Sequence, residues 1–260
     1  MPPNLPQPTE GFAWAQAAWG PVLRCAALLD VALHLFTTRH LELKEDGRET
    51  AAGWERIASA IGVSPAGLVR PRQVHGAAVI VASRGRPQAN PAGEGDIVVT
   101  DDPETAVVVQ AADCVPLLLA DRQTGAVAAA HAGWRGTAAG VAPAAVAALR
   151  TAFGADPAEL VAAIGPSIGP CCYAVGEELI EAFRQAGHGA SDLARWFSRD
   201  AALRLNLWKA NRDQLEAAGL RPDQIHGAGL CTATHGDLFH SYRRDGKAAG
   251  RLAAAIRPRG

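Results

Sequence analysis

The sequence is short of the features that mark several large protein classes. No stretch approaches the roughly 18 apolar residues that a membrane-spanning helix needs. The opening "MPPNLPQPTEGFAWAQAAWG" has no cationic start and no apolar core, so it is not expected to act as a secretory signal. The formal net charge is -1. That leaves no basic field to hold a phosphate backbone and argues against nucleic acid as the main partner. There are five cysteines: Cys25, Cys114, Cys171, Cys172 and Cys231. An odd count with one adjacent pair does not make a disulfide framework and fits a reducing cytoplasm. The compact metal-binding spacings Cys-x-x-Cys and His-x-x-x-His are missing, as is any obvious short-period repeat.

What is present is ordinary globular composition, with 48% apolar and 20% charged residues. A flexible tail over residues 1–12 and a single domain over 13–260 are expected. Runs at 31–39, 73–83, 95–100, 106–114, 115–121, 125–133, 160–169, 225–232 and 251–257 read as strands. Runs at 48–62, 137–154, 175–187 and 204–220 read as helices. Strands alternate with helices but also follow one another directly. The fold class is therefore α/β (α+β), with mixed β-sheets flanked by helices. "GRPQANPAGEG" at 85–95 reads as a surface loop.

Three residues stand at the ends of strong β runs: His75 in "RQVHG", Cys114 in "AADCVP" and His131 in "AAAHAGWRG". Strand ends are where side chains of a sheet converge on one cavity. Two imidazoles and a thiolate with an open fourth position form a known catalytic zinc set. The same residues also read as two buried histidines and a buried thiol. Asp113 adjoins Cys114 and reads either as support or proton transfer for the site, or as a turn cap. Arg135 offers a fork for an anionic or planar substrate, or stacks on Trp134. Arg243, in "HSYRRDG", either lines the site or lies on a solvated face. Cys171 and Cys172 in "IGPSIGPCCYAVG" read as packing residues. "Pro-Cys" there lacks the Pro-Cys-x-x-Cys and His-x-Glu of the zinc nucleobase deaminases, and that fold is rejected.

The segments "RQVHG", "ADCVPLLLAD", "HAGWRGTAAGV", "IGPSIGPCCYAVGEEL", "LNLWKANRDQLEAAGL" and "CTATHGDLFHSYRRDGKAAGR" run in order from about His34 to Arg251. Together they resemble the YfiH-like family, also called the laccase-domain or polyphenol-oxidase family. The resemblance implies a single mixed-sheet domain, similar to the cytotoxic-necrotizing-factor type of cysteine hydrolase. It implies a metal on His75, Cys114 and His131, usually zinc and alternatively copper. It implies phosphorolysis of purine nucleosides (adenosine, inosine, methylthioadenosine), with adenosine deamination as a further activity. Cys114, His131 and Asp113 are then the catalytic candidates. Arg39, Gln73, Arg135 and Arg243 are the candidates for holding nucleoside and phosphate. The alternatives are a Cys-His amidase editing peptidoglycan precursors and a copper-dependent phenol oxidase. The expected partners are small molecules, with neither nucleic acid nor membrane; a homo-oligomer is left open. The chain departs from the family pattern in two places. "HLELKEDGRET" replaces the Gly-Gly and Asn-Leu elements after Arg39, and Ala174 stands where a glutamate is common.

Overall fold

The strand-forming runs assemble as two six-stranded sheets with helices outside them. The computed structural model describes residues 5–43, 51–85 and 90–260. Its strands are β1 (Phe12–Ala17), β2 (Gly20–Cys25), β3 (Ala32–Phe36), β4 (Leu68–Val69) and β5 (Val79–Val81). They continue with β6 (Ile97–Thr100), β7 (Ala106–Ala111), β8 (Val115–Asp121), β9 (Val127–Ala132) and β10 (Leu160–Ile164). Last come β11 (Phe197–Arg199), β12 (Leu203–Leu205), β13 (Ile225–Gly227) and β14 (Leu252–Pro258). The helices are α1 (Ala26–Leu29), α2 (Ala51–Ile61), α3 (Trp134–Ala138) and α4 (Val141–Phe153). They are followed by α5 (Glu177–Gln185), α6 (Ala190–Trp196), α7 (Leu207–Ala217) and α8 (Tyr242–Asp245). One sheet has the order β1-β2-β3-β14-β7-β4 and the other β13-β10-β8-β9-β6-β5; β11 and β12 form a separate ribbon. Both large sheets mix parallel and antiparallel pairs, as expected for the fold class. No helix among the described residues is long and apolar enough to cross a membrane.

Alternation along the strands sets the layers. Successive side chains point to opposite faces, so Val107 and Val109 of β7 face the second sheet while Ala106 and Val108 face α2. In β8, Leu118 and Ala120 meet the first sheet, whereas Leu117 and Leu119 pack under α4 and α7. Both faces of the central strands are covered, which explains their near-continuous apolar runs. Ala128, Ala130 and Ala132 of β9 share one cluster with Ala142 and Ala145 of α4, so small side chains let helix and strand approach closely.

Several boundaries depart from the sequence reading, each for a local reason. The helix expected at 137–154 divides at Gly140, which sits at φ 76, a conformation that glycine adopts without strain. α4 stops at Gly154, φ 73, whose N–H returns to the Arg150 carbonyl, a glycine C-cap. The helix expected from 204 starts after Asn206, whose side chain accepts from the Lys209 N–H; Leu203–Leu205 pairs with β11 instead. The run 225–232 stays in register only through Gly227. The run 73–83 keeps strand geometry only at Val79–Val81; its first residues form a loop. The hairpin β1–β2 was not foreseen. The expected loose tail is tied down over its described part. Thr9 N–H donates to the Ala228 carbonyl at 3.2 Å and Trp14 Nε1 to the Pro6 carbonyl at 2.8 Å. Of the unusual "HLELKEDGRET" segment, positions 44–50 lie outside the described residues, as do 86–89 of the expected loop.

His34, at the middle of β3, is 3% exposed. Its Nε2 accepts the Cys25 N–H at 2.8 Å, which requires the neutral ring. Burial drives its pKa down from 6.5 to about 4, offset only in part by the Ala32 carbonyl. Below pH 6.5 the unfolded chain binds a proton that the folded imidazole refuses until about pH 4, so stability falls as pH falls through that window. Urea denaturation from pH 7 to pH 4 is expected to show a loss of up to about 3 kcal/mol from this residue. His34→Gln removes that increment; a pH dependence identical in the two proteins contradicts the assignment.

Candidate metal and substrate site

The antiparallel register of β6 and β9 places Asp96, just before β6, beside His131 near the end of β9. The His131 N–H donates to the Asp96 carbonyl at 2.8 Å, and the Asp96 carboxylate lies 2.8 Å from His131 Nδ1. Asp96 is fully buried. Its two oxygens also accept three successive backbone amides: Val74 at 3.1 Å, His75 at 3.0 Å and Gly76 at 2.7 Å. Those amides would otherwise serve a strand. Capturing them bends 74–76 into a loop and holds His75 at φ 62. Left-handed backbone in a residue other than glycine costs energy and clusters at functional sites. This is why the expected strand starts late.

Cys114 stands at the entry to β8, whose Pro116 pairs with His131 across the ladder. The ligand atoms of His75, Cys114 and His131 all lie within 4.8 Å of one another. The two imidazole rings meet edge to face, with centroids 4.9 Å apart. Gly133 closes the cluster from below. A Cβ there would sit 2.7 Å from Cys114 Sγ, so only glycine permits this approach.

The charges in the cluster support one another. Burial alone would raise the Asp96 pKa, but the hydrogen bonds from His131 and the Gly76 and Val74 amides outweigh it and lower it. Burial likewise opposes the Cys114 thiolate, yet the His131 charge and hydrogen bonds from both histidines bring its pKa down to about 6. His131 is penalised by burial and raised to about 9 by Cys114 and Asp96. With Nδ1–H committed to Asp96, Nε2 is the His131 donor that remains for an ion. Two imidazole nitrogens and a thiolate suit zinc, and by general affinity order copper also. The donor set therefore fits the implied metal.

The cluster opens into a cavity of about 910 Å³. Arg70, Arg72, Arg135, Arg243 and Arg251 line it, and Asp113 is the one acidic residue among the described lining. Trp134, Tyr173 and Tyr242 offer aromatic surface. Of the residues singled out in the sequence, Arg135 lies over the Trp134 ring at 4.3 Å and Arg243 over Tyr173 at 5.1 Å, both within the cavity wall. Gln73 lines the cavity, but its amide oxygen and nitrogen are both paired with the Gln110 backbone at 2.7 and 2.8 Å. It joins the 70s loop to β7. Arg39 is elsewhere: it donates to the Gly236 carbonyl and lines a neighbouring cavity with Glu42 and His240. Asp113, at φ 89, accepts from Thr232 Oγ1 and from the Arg243 N–H, both at 2.6 Å. Both oxygens accept a hydrogen bond, and through them Asp113 braces the Arg243 segment. Asp96 was missed. Its sequence signal was a single aspartate ahead of "IVVT", and Arg70, Arg72 and Arg251 carried none.

A family model described as multi-copper polyphenol oxidoreductase laccase matches residues 37–259. The chain belongs to this YfiH-like family. It is 38% identical over 250 residues to a purine nucleoside phosphorylase of Deinococcus radiodurans, covering 91% of this chain and 92% of that one. It is 36% identical to adenosine deaminase RL5 of an unknown prokaryotic organism, covering 77% and 78%. A crystal structure of the Bacillus licheniformis hypothetical protein YfiH superposes with a TM-score of 0.85 at 28% identity, over 95% of this chain and 99% of that one. The family assignment and the mixed-sheet fold thus agree with the sequence resemblance.

Asp96→Asn leaves one accepting oxygen for four donors. Zinc affinity, measured by competition with a chromophoric chelator, is expected to fall about 10–100-fold. Unchanged affinity contradicts the role given to Asp96.

Proposed function

We propose that the protein is a purine nucleoside phosphorylase that also deaminates adenosine, working with zinc on His75, Cys114 and His131. One observation carries this reading: the His/Cys/His cluster lies in a cavity whose described lining is rich in guanidinium and aromatic surface. Guanidinium groups bind phosphate in a fork, and aromatic faces take a planar base. Arg135 and Arg243 hold the phosphate, and Trp134, Tyr173 and Tyr242 hold the purine. His75, Cys114 and His131 would hold the cation, which when bound would supply Lewis acidity to the cavity. In phosphorolysis a phosphate oxygen bonds to the sugar carbon as the bond to the purine nitrogen breaks, and the purine leaves with that electron pair and gains a proton. In deamination water adds to the ring carbon and ammonia leaves. The relatives named a phosphorylase and a deaminase support the same substrate class. Copper-dependent phenol oxidation rests on the family's description alone; one group of metal-ligating residues among those described contains histidine. The metal is held as zinc rather than copper for that reason, and a cytoplasmic setting remains part of the proposal.

A second reading has its own geometric support. Cys114, His131 and Asp96 form a nucleophile, a base and a residue orienting that base, which is the layout of a Cys-His amidase.

The test incubates zinc-loaded protein with adenosine, inosine and methylthioadenosine, with and without phosphate. Free base and sugar phosphate are expected only with phosphate, and inosine from adenosine without it. Cys114→Ser and His131→Ala are each expected to lower kcat/KM by about 100-fold or more. No product from any of the three, with metal bound, overturns the proposal. Amide hydrolysis by metal-free protein favours the second reading.

A further inference from the structure

A second group of donors lies outside the cavity and belongs to no step above. Cys171, Cys172 and Cys231 place their sulfurs within 4.8 Å of one another. None of the three is among the residues lining the 910 Å³ cavity. Adjacent cysteines in a strand would point apart. Here a tight turn, with the Cys172 and Tyr173 amides both donating to the Gly169 carbonyl at 3.0 and 3.1 Å, turns both thiols to one side. Their sulfurs are 3.7 Å apart. Cys231 arrives from a segment 60 residues away in sequence, bridged to Ser167 in parallel fashion. The Gly169 N–H donates to its sulfur at 3.2 Å.

We propose that Cys171, Cys172 and Cys231 form a second metal site, for a thiophilic d10 dication such as zinc. Sulfurs bound at about 2.3 Å to a tetrahedral ion stand about 3.8 Å apart, which the Cys171–Cys172 pair already meets. Three thiolates make a softer donor set than the His/Cys/His group, suited to zinc or cadmium. The cluster runs from buried Cys231 through half-buried Cys172 to exposed Cys171, so an ion can enter and a solvent molecule can take the fourth position. The Arg204 guanidinium, donating to the Pro170 and Cys171 carbonyls, sets a positive charge beside the sulfurs. Each thiol gives its proton to solvent as its S–H bond becomes a sulfur–metal bond, with no change of redox state. A bound ion clips the 169–173 turn to the Cys231 segment. That turn carries Tyr173 into the cavity wall, and its Ala174 neighbour accepts from Arg243 at 2.8 Å. The site acts as a structural clip behind the substrate wall.

The test uses full-length protein carrying Cys114→Ser, kept reduced and free of oxygen, so that any thiolate–metal band arises outside the first cluster. Cadmium chloride is titrated in while sulfur-to-cadmium charge transfer is followed in the ultraviolet. One equivalent is expected to saturate a band of three-thiolate intensity and to raise Tm. Adding Cys171→Ser, at an exposed position, is expected to weaken cadmium binding by more than the roughly 10-fold that loss of an outer hydrogen-bond partner costs. Cys231→Ser is expected to do the same where it folds. Absence of the band, or a band that Cys171→Ser leaves intact, overturns the proposal.

Discussion

The buried carboxylate of Asp96 is the contact on which the candidate site depends. It accepts from the side chain of one metal-ligand candidate and from the backbone of another, so it fixes two of the three donors at once. Three amides and one imidazole also repay its loss of water, which is how a fully buried charge is tolerated. Without it, His75 has no reason to hold left-handed backbone, and His131 has no preferred tautomer. The third donor, Cys114, is placed by the β8–β9 ladder and by the absence of a side chain at Gly133. Rigid sheet on one side and a captured loop on the other thus define the cluster.

The same logic organises the cavity wall. Asp113, also in left-handed backbone, ties the β8 entrance to Thr232 and to the first turn of α8. Arg243 then reaches the Ala174 carbonyl, just past the vicinal cysteines, and lies over Tyr173. Two strained aspartate- and histidine-bearing turns therefore bracket the opening, one at the His75/Cys114/His131 cluster and one at the basic wall. Strain of this kind persists where surrounding hydrogen bonds over-determine it.

Much of this was legible in the sequence, and the reasons for the remainder are physical. His75, Cys114 and His131 could be picked out because each stands at an edge of a β-rich run, with a glycine or proline within the next two positions. The mixed sheets flanked by helices followed from strand runs that alternate with helices but also follow one another directly. Alternation alone could not show that 73–76 leaves the sheet, because the residue that captures its amides lies about 20 positions further on. Asp96 gave no motif, since its partners are backbone atoms and a histidine 35 residues away. Arg70, Arg72 and Arg251 become a group only when β4, the following loop and β14 meet at one cavity. Arg39 pointed the other way: the resemblance offered it as a group to hold the phosphate, yet it lines the adjoining cavity. Cys171 and Cys172 read as packing until the turn at Gly169 brought both sulfurs to Cys231.

The central claim is that His75, Cys114 and His131 share one ion. Crystals of the protein grown with zinc, with anomalous differences recorded at the zinc edge, test it most directly. The account predicts a peak at about 2.0–2.3 Å from a nitrogen of His75, Nε2 of His131 and Sγ of Cys114, with Nδ1 of His131 still on Asp96. A cluster free of anomalous density at saturating zinc, or His131 turned away from Asp96, contradicts it.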